Sequence, residues 1–162
     1  MRTPLQLLSI AFLAGAVGCG GSDSNGVTNP NPQQLAGTMS ARIDGATWTA
    51  SVVSVAVNTN GLIISGANAS GIGMAVGASR VLGTGPQTFG TGTNFNALAT
   101  MTTGTQSWSA TGIQGTNSSG TVTLTTLTAT RAVGTFTFNA AALAGGATGT
   151  KVVTSGVFDV KF

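Results

Sequence analysis

Apolar and small or polar side chains alternate through most of the chain, and this period of two constrains the fold more than any other feature. In residues 72–79, Ile, Met, Val and Ala alternate with Gly, Ala, Gly and Ser. The same alternation recurs in residues 121–125, 135–138 and 158–162. Because successive side chains of a strand point to opposite faces of a sheet, the pattern predicts strands with one buried face. No stretch of the domain shows sustained helical spacing, so the chain is predicted to be all-β.

Turn signals divide this region into an antiparallel meander of about nine strands. The Asp44-Gly45 and Asn60-Gly61 pairs are typical of tight hairpins, where they tolerate positive φ. The longest region between strands is 81–94, with a small strand expected near residues 87–89. To protect its edges, such a meander must pack as a sandwich or a flattened barrel, and both alternatives stay open. The predicted strands are 37–44, 47–57, 61–67, 71–79, 95–102, 106–112, 119–128, 131–140 and 150–162.

The N-terminal residues 1–18 have the layout of a cleaved bacterial signal peptide. Arg2 supplies a short basic region, and an apolar stretch of 13 residues follows from Leu5 to Val17. That stretch is shorter than the roughly 20 residues of a membrane-spanning helix. The run Ala16-Val17-Gly18-Cys19 resembles a lipobox, although Ala16 stands where Leu is usual. The resemblance implies lipid attachment at Cys19, the chain's one cysteine; the alternative is an ordinary secretory signal that leaves a free thiol.

Residues 19–36 are predicted to form a tether between the anchor and a single β domain at 37–162. The tether is rich in Gly, Ser, Asn, Pro and Gln, and such a composition offers too little apolar surface to fold. Gly20 follows Cys19, so the Asp that favours inner-membrane retention in enterobacteria is absent. These features predict a lipid-anchored envelope protein and favour the outer membrane over the inner. The membrane, reached through the acyl anchor on Cys19, is the one partner that the sequence indicates.

The charge inventory argues against nucleic-acid binding. The chain has six Lys and Arg residues and three acidic residues. Five of the basic residues lie in the domain, where they are widely scattered, whereas nucleic-acid binding needs clustered cations. They are Arg42, Arg80, Arg131, Lys151 and Lys161.

The inventory of reactive groups predicts that the protein is not an enzyme. Histidine, glutamate and tyrosine are absent, so no imidazole base exists. The domain's two carboxylates, Asp44 and Asp159, could act together only across a cleft. Asp44 is interpreted as a turn residue, and Asp159 as an outward residue of the last strand that pairs with a cross-strand cation. Zinc and calcium sites lack the ligands they need, so neither a metal nor another cofactor is predicted.

Two tryptophans leave a carbohydrate-binding alternative open. Trp48 and Trp108 could stack on a sugar ring, but tryptophan more often fills a sandwich core or its rim. We interpret both as core residues.

Four strings in a fixed order resemble a bacterial lipoprotein family classed as a domain of unknown function, common in envelopes of the Bacteroidetes type. The first is an Ile-Asp-Gly-x-x-Trp hairpin at residues 43–48. It is followed by Ser-Gly-Thr-Val-Thr-Leu-Thr at 119–125, Gly-Thr-Phe-Thr-Phe at 134–138 and Gly-Val-Phe-Asp-Val at 156–160. The resemblance implies an extracytoplasmic β domain and supplies no functional residue.

Three function classes remain open after this reasoning. The first, which we favour, is a non-catalytic binding or structural module of the envelope, of unknown ligand. The second is a lipocalin-like barrel that holds a small apolar molecule. The third is an accessory subunit of an envelope enzyme. A closed barrel with an apolar cavity would favour the second class, and a filled core would favour the first.

Overall fold

The computed structural model describes residues 36–89, 97–111 and 118–162, and these residues form eleven β-strands. Among them, no residue belongs to a helix with the length and hydropathy that crossing a bilayer needs. The predicted signal peptide, Cys19 and nearly all of the tether lie outside the described residues. The strands are β1 (Gly37–Ile43), β2 (Ala46–Thr49), β3 (Val52–Val57), β4 (Gly61–Ala67), β5 (Ile72–Ser79), β6 (Gly85–Thr88), β7 (Ala97–Thr103), β8 (Gln106–Ser109), β9 (Ser119–Leu127), β10 (Arg131–Ala144) and β11 (Thr150–Lys161).

All strand pairs are antiparallel, and the sheet branches at the long strand β10. The main order is β2-β1-β11-β10-β8-β7-β5-β4-β3. The first part of β10 pairs with β9, which in turn pairs with β6, and its last residues pair with β8. The sheet therefore does not close into a barrel, and the barrel form of the predicted fold is not observed.

The ends of the sheet pack against each other through their buried faces. Trp48 on β2 donates its indole N–H to the carbonyl of Ile72 on β5, 3.2 Å away. The Trp48 ring and the Met39 sulfur also lie against Gly66 of β4, where a Cβ would come within about 3.0 and 3.1 Å of them. These contacts join strands that are far apart in the sheet order, as expected for sandwich-like packing with a filled core.

Phenylalanine rings in the core cover glycines directly opposite them on neighbouring strands. Phe158 pairs with Gly134, and Phe136 pairs with Gly156. Phe138 pairs with Gly120 of β9 in the same way. At Gly134 and Gly156 a Cβ would collide with the facing ring, and at Gly120 it would collide with Phe138 Cβ and with the Phe89 ring, so only glycine leaves room there. This pairing gives a physical reason for the Gly-Thr-Phe-Thr-Phe and Gly-Val-Phe-Asp-Val strings.

A β-bulge at Ser155 changes which residues of β11 face the core. Val153 is buried before it, and Gly156, Phe158 and Val160 are buried after it. The register shifts at the same place relative to both β10 and β1, and Ser155 has a positive φ of 52°. The extra residue therefore reverses the alternation without breaking the strand.

The predicted strands are confirmed in type, and several differ in their bounds. The predicted strand 47–57 is two strands, β2 and β3, separated at residues 50 and 51. Strand β10 continues to Ala144 because its last residues pair with β8. The Asn60-Gly61 pair does not use positive φ; Asn58 forms the turn instead, accepting the N–H groups of Asn60 and Gly61 at 2.8 Å each. The predicted small strand near 87–89 is found as β6, Gly85–Thr88.

Candidate functional site: an apolar cleft beside the β3–β4 turn

Asp44 has the structural role that the sequence predicts for it. It opens the two-residue turn between β1 and β2, with φ of 50° at Asp44 and 85° at Gly45, as in a type I′ turn. Its carboxylate accepts hydrogen bonds from the Lys151 ammonium at 2.8 Å and from the backbone N–H of Val152 at 2.9 Å. These two donors hold the pKa of Asp44 below its ordinary value.

Asp159 is likewise held in an ion pair. It accepts two hydrogen bonds from the Arg131 guanidinium, at 2.9 and 2.7 Å, on an exposed face. This pair lowers the pKa of Asp159. The predicted cross-strand partner of Asp159 is therefore Arg131, on the adjacent strand β10.

The two carboxylates are too far apart to act on one bond. Asp44 binds the backbone of Val152, and Asp159 lies seven residues further along the same strand. At about 3.3 Å per residue this separation is roughly 20 Å, beyond the spacing of about 5–10 Å that paired-carboxylate hydrolysis needs.

Both tryptophans are core residues, as the sequence analysis favoured. Trp48 and Trp108 are buried. The Trp108 indole donates to the carbonyl of Thr148 at 3.2 Å, and the Lys151 ammonium lies 5.5 Å from the Trp108 ring centroid. Neither ring is open for stacking on a sugar.

The candidate site that the structure adds is a cleft floored by a row of residues across β3, β4, β5 and β7. Ala56, Ile63, Gly77 and Leu98 are directly opposite one another in register. A Cβ on Gly77 would lie 3.0 Å from Leu98 Cγ and 3.6 Å from Ile63 Cγ1, so the two side chains flank the glycine on one face. Their neighbours Leu62, Ala78 and Ala97 are buried on the opposite face. These three residues also line the cleft, which therefore lies at one end of the four strands and has lining residues from both faces of the sheet.

Exposed apolar side chains are concentrated at this cleft. Val57, Ile63, Val81 and Leu82 line it and account for four of the eight exposed large hydrophobic residues among those described. Val81 and Leu82 are 75% and 53% exposed. The cleft has a volume of about 510 Å³, within the range of about 300–1,000 Å³ typical of small-molecule sites. We call it the Gly77 cleft.

The rim of the Gly77 cleft is polar and uncharged. Asn58, Asn60 and Ser79 lie at its edge, and no charged residue is among the described residues that line it. The Asn58 and Asn60 carbonyls and the Asn58 side-chain oxygen all accept protein hydrogen bonds. The arrangement can bury an apolar group and offers donors at one edge.

Gln87 positions the segment that carries Val81 and Leu82. Its buried side-chain amide accepts the N–H of Ser79 at 2.7 Å and donates to the carbonyls of Ser79, at 2.9 Å, and Gly83, at 3.4 Å. The amide thus fixes both ends of the Arg80–Gly83 turn, which also has a bond from the Gly83 N–H to the Arg80 carbonyl.

Sequence reasoning did not find the Gly77 cleft. Its floor depends on the registers of three strand pairs, and residues far apart in sequence meet there. The one signal available was the apolar pair Val81-Leu82 within a Gly-rich connection. The predicted lipid-attachment residue, Cys19, lies outside the described residues.

Comparison with known proteins gives one family. A family model described as "Domain of unknown function (DUF6252)" matches residues 36–160. Neither the curated proteins nor the solved structures give a match.

Proposed function

We propose that this chain, which belongs to that family of domains of unknown function, is a non-catalytic, lipid-anchored binding module of the bacterial envelope. The Gly77 cleft is its binding site, and the observation that carries this proposal is that half of the exposed large hydrophobic residues in the described part of the chain lie at this one concave place. The anchor is the acylated Cys19.

A non-catalytic role agrees with the groups that the chain offers. The sequence has no histidine, and its domain carboxylates, Asp44 and Asp159, are both in ion pairs roughly 20 Å apart. The cleft itself has no charged side chain among its described lining residues. These features suit binding better than proton transfer.

The anchor is tested by replacing Cys19 with Ser. We expect the parent to be recovered with membranes and Cys19→Ser to be uncleaved or soluble, because several acyl chains hold a protein firmly and an unmodified serine does not. Fractionation and mass spectrometry of the mature N-terminus give the result. Equal membrane recovery of both proteins would contradict lipid anchoring.

The ligand that we propose for the cleft is a small apolar molecule, which the sequence already left open as an alternative. The closed lipocalin-like barrel that this alternative assumed is not formed, but the Gly77 cleft, at about 510 Å³, is large enough for a small molecule. Its apolar lining residues, among them Ile63, Leu82 and Leu98, suit an uncharged hydrocarbon better than a polar ligand.

Photo-crosslinking of the full chain in isolated membranes tests the cleft. Hexadecanol carrying a diazirine on its tail is expected to label residues of the Gly77 cleft, and the double variant Val81→Ser/Leu82→Ser is expected to lose most of that labelling. Val152→Ser/Val157→Ser is the matched control, since both valines are exposed on β11 away from the cleft. Labelling that both double variants leave unchanged would contradict binding in the cleft.

A further inference from the structure

At the edge of the Gly77 cleft, several hydrogen-bond acceptors are already bonded to protein donors, whereas some side-chain donors are not bonded to the protein. The Asn58 carbonyl accepts from Arg80 Nη1 at 3.0 Å, and the Asn58 side-chain oxygen accepts from the N–H groups of Asn60 and Gly61. The Asn60 carbonyl accepts the Arg80 N–H at 2.9 Å and the Ser79 hydroxyl at 3.4 Å. Within the described residues, the side-chain NH2 groups of Asn58 and Asn60 donate no hydrogen bond to the protein. A ligand rich in acceptors matches this edge.

Arg80 brings a positive charge to the same edge. It lies between Ser79 and Val81, which both line the cleft, and its guanidinium donates to Asn58, a third lining residue. The guanidinium carbon stands 5.8 Å from the centroid of the Phe162 ring. One donated bond leaves most of the five guanidinium N–H groups free for a ligand.

No described carboxylate side chain neutralises Arg80. Asp44 is paired with Lys151, and Asp159 is paired with Arg131. Arg80 instead lines a second depression of about 620 Å³, together with Thr59, Leu127, Thr128 and Ala129. Thr59 stands between Asn58 and Asn60, so residues of the turn between β3 and β4 line both the Gly77 cleft and this second depression.

We propose that the Gly77 cleft binds a free fatty acid, with the acyl chain between Ile63, Leu82 and Leu98 and the carboxylate paired with Arg80 at the β3–β4 turn. This inference rests on the proposed binding role of the cleft and adds the chemistry of its ligand. An apolar cleft alone accepts any hydrocarbon. Spare side-chain donors, and a guanidinium that no described carboxylate side chain pairs with, select a hydrocarbon that ends in an oxyanion.

The experiment compares two photoactivatable probes with the same tail, hexadecanoic acid and hexadecanol, on the full chain in isolated membranes. The acid is expected to label the cleft at about tenfold lower concentration than the alcohol, because a hydrogen-bonded ion pair adds to the shared apolar contact. Arg80→Gln should remove that preference, so that the acid and the alcohol label the cleft at similar concentrations. Arg42→Gln is the control, since Arg42 likewise has no carboxylate partner among the described residues and lies away from the cleft, and it should preserve the preference.

The outcomes test two claims separately: that the cleft is a binding site, and that its ligand is a free fatty acid. Equal labelling by acid and alcohol, unaffected by Arg80→Gln, would overturn the fatty-acid inference and leave the apolar site intact. A cleft that neither probe labels would overturn the site itself. Protection of the cleft by added phosphatidylglycerol vesicles but not by excess unlabelled hexadecanoic acid would assign the edge to a membrane lipid and overturn the free fatty acid.

Discussion

At the scale of single residues, Gln87 shows how one buried amide shapes the candidate site. Its three hydrogen bonds hold Ser79 and Gly83, so it fixes the turn that carries two walls of the cleft. Replacing Gln87 with Ala leaves the Ser79 backbone groups without these partners. Because unpaired buried groups are costly, we expect Gln87→Ala to lower the free energy of unfolding by about 1–3 kcal/mol.

Urea melts of Gln87→Ala and Gln106→Ala give the comparison. Gln106 is exposed, and its side chain makes only a 3.4 Å bond to the Gly146 carbonyl, so its replacement should cost within about 0.5 kcal/mol. Equal costs for the two glutamines would show that Gln87 does not hold the turn. The sequence shows that residue 87 is a glutamine. Its burial depends on β6 lying beside the end of β5, so it could not be predicted from the neighbouring residues in sequence.

At the scale of secondary structure, the alternation along β5, β9 and β10 predicts the strands well because each has one buried face. The bulge at Ser155 escapes this reasoning, since β11 reads as continuous Val- and Thr-rich sequence and its change of face depends on pairing with β10 and β1. The split between β2 and β3 could not be predicted either, because it depends on strand pairing: Ser51 donates its N–H to Ala67 on β4, whereas Ala50 donates to Met39 on β1.

The final strand β11 gives a test of register that follows from this pattern. Phe158 is buried against Gly134 and stacks on Phe136 with ring centroids 6.3 Å apart, whereas Asp159 points outward to Arg131. Phe158→Ala is expected to cost about 3–5 kcal/mol, because it empties a core site. Asp159→Ala should change the urea midpoint far less, because exposed ion pairs contribute little. Comparable losses from the two neighbours would mean that the faces of β11 are assigned wrongly.

At the scale of the whole molecule, the scarcity of titratable groups predicts an unusual dependence of stability on pH. The chain has no His, Glu or Tyr, so Asp44 and Asp159 are the side chains of the domain that titrate near the acid end. Both have a pKa lowered in the folded protein by a cation and, for Asp44, by the Val152 N–H. A lowered folded pKa stabilises the fold fully above the ordinary aspartate pKa of about 3.9, and this contribution is lost as the pH falls through the lowered value.

We therefore expect the urea midpoint of the full chain to stay level between about pH 5 and 8 and to fall only below about pH 4. Between those limits neither carboxylate changes its protonation in the folded or the unfolded state. Urea melts from pH 3 to 8 measure this dependence, and the double variant Asp44→Asn/Asp159→Asn should flatten the acid limb. A midpoint that changes steeply between pH 5 and 8 would require a titrating group other than these two aspartates. A steep acid limb that persists in the double variant would show that the two ion pairs are not its source.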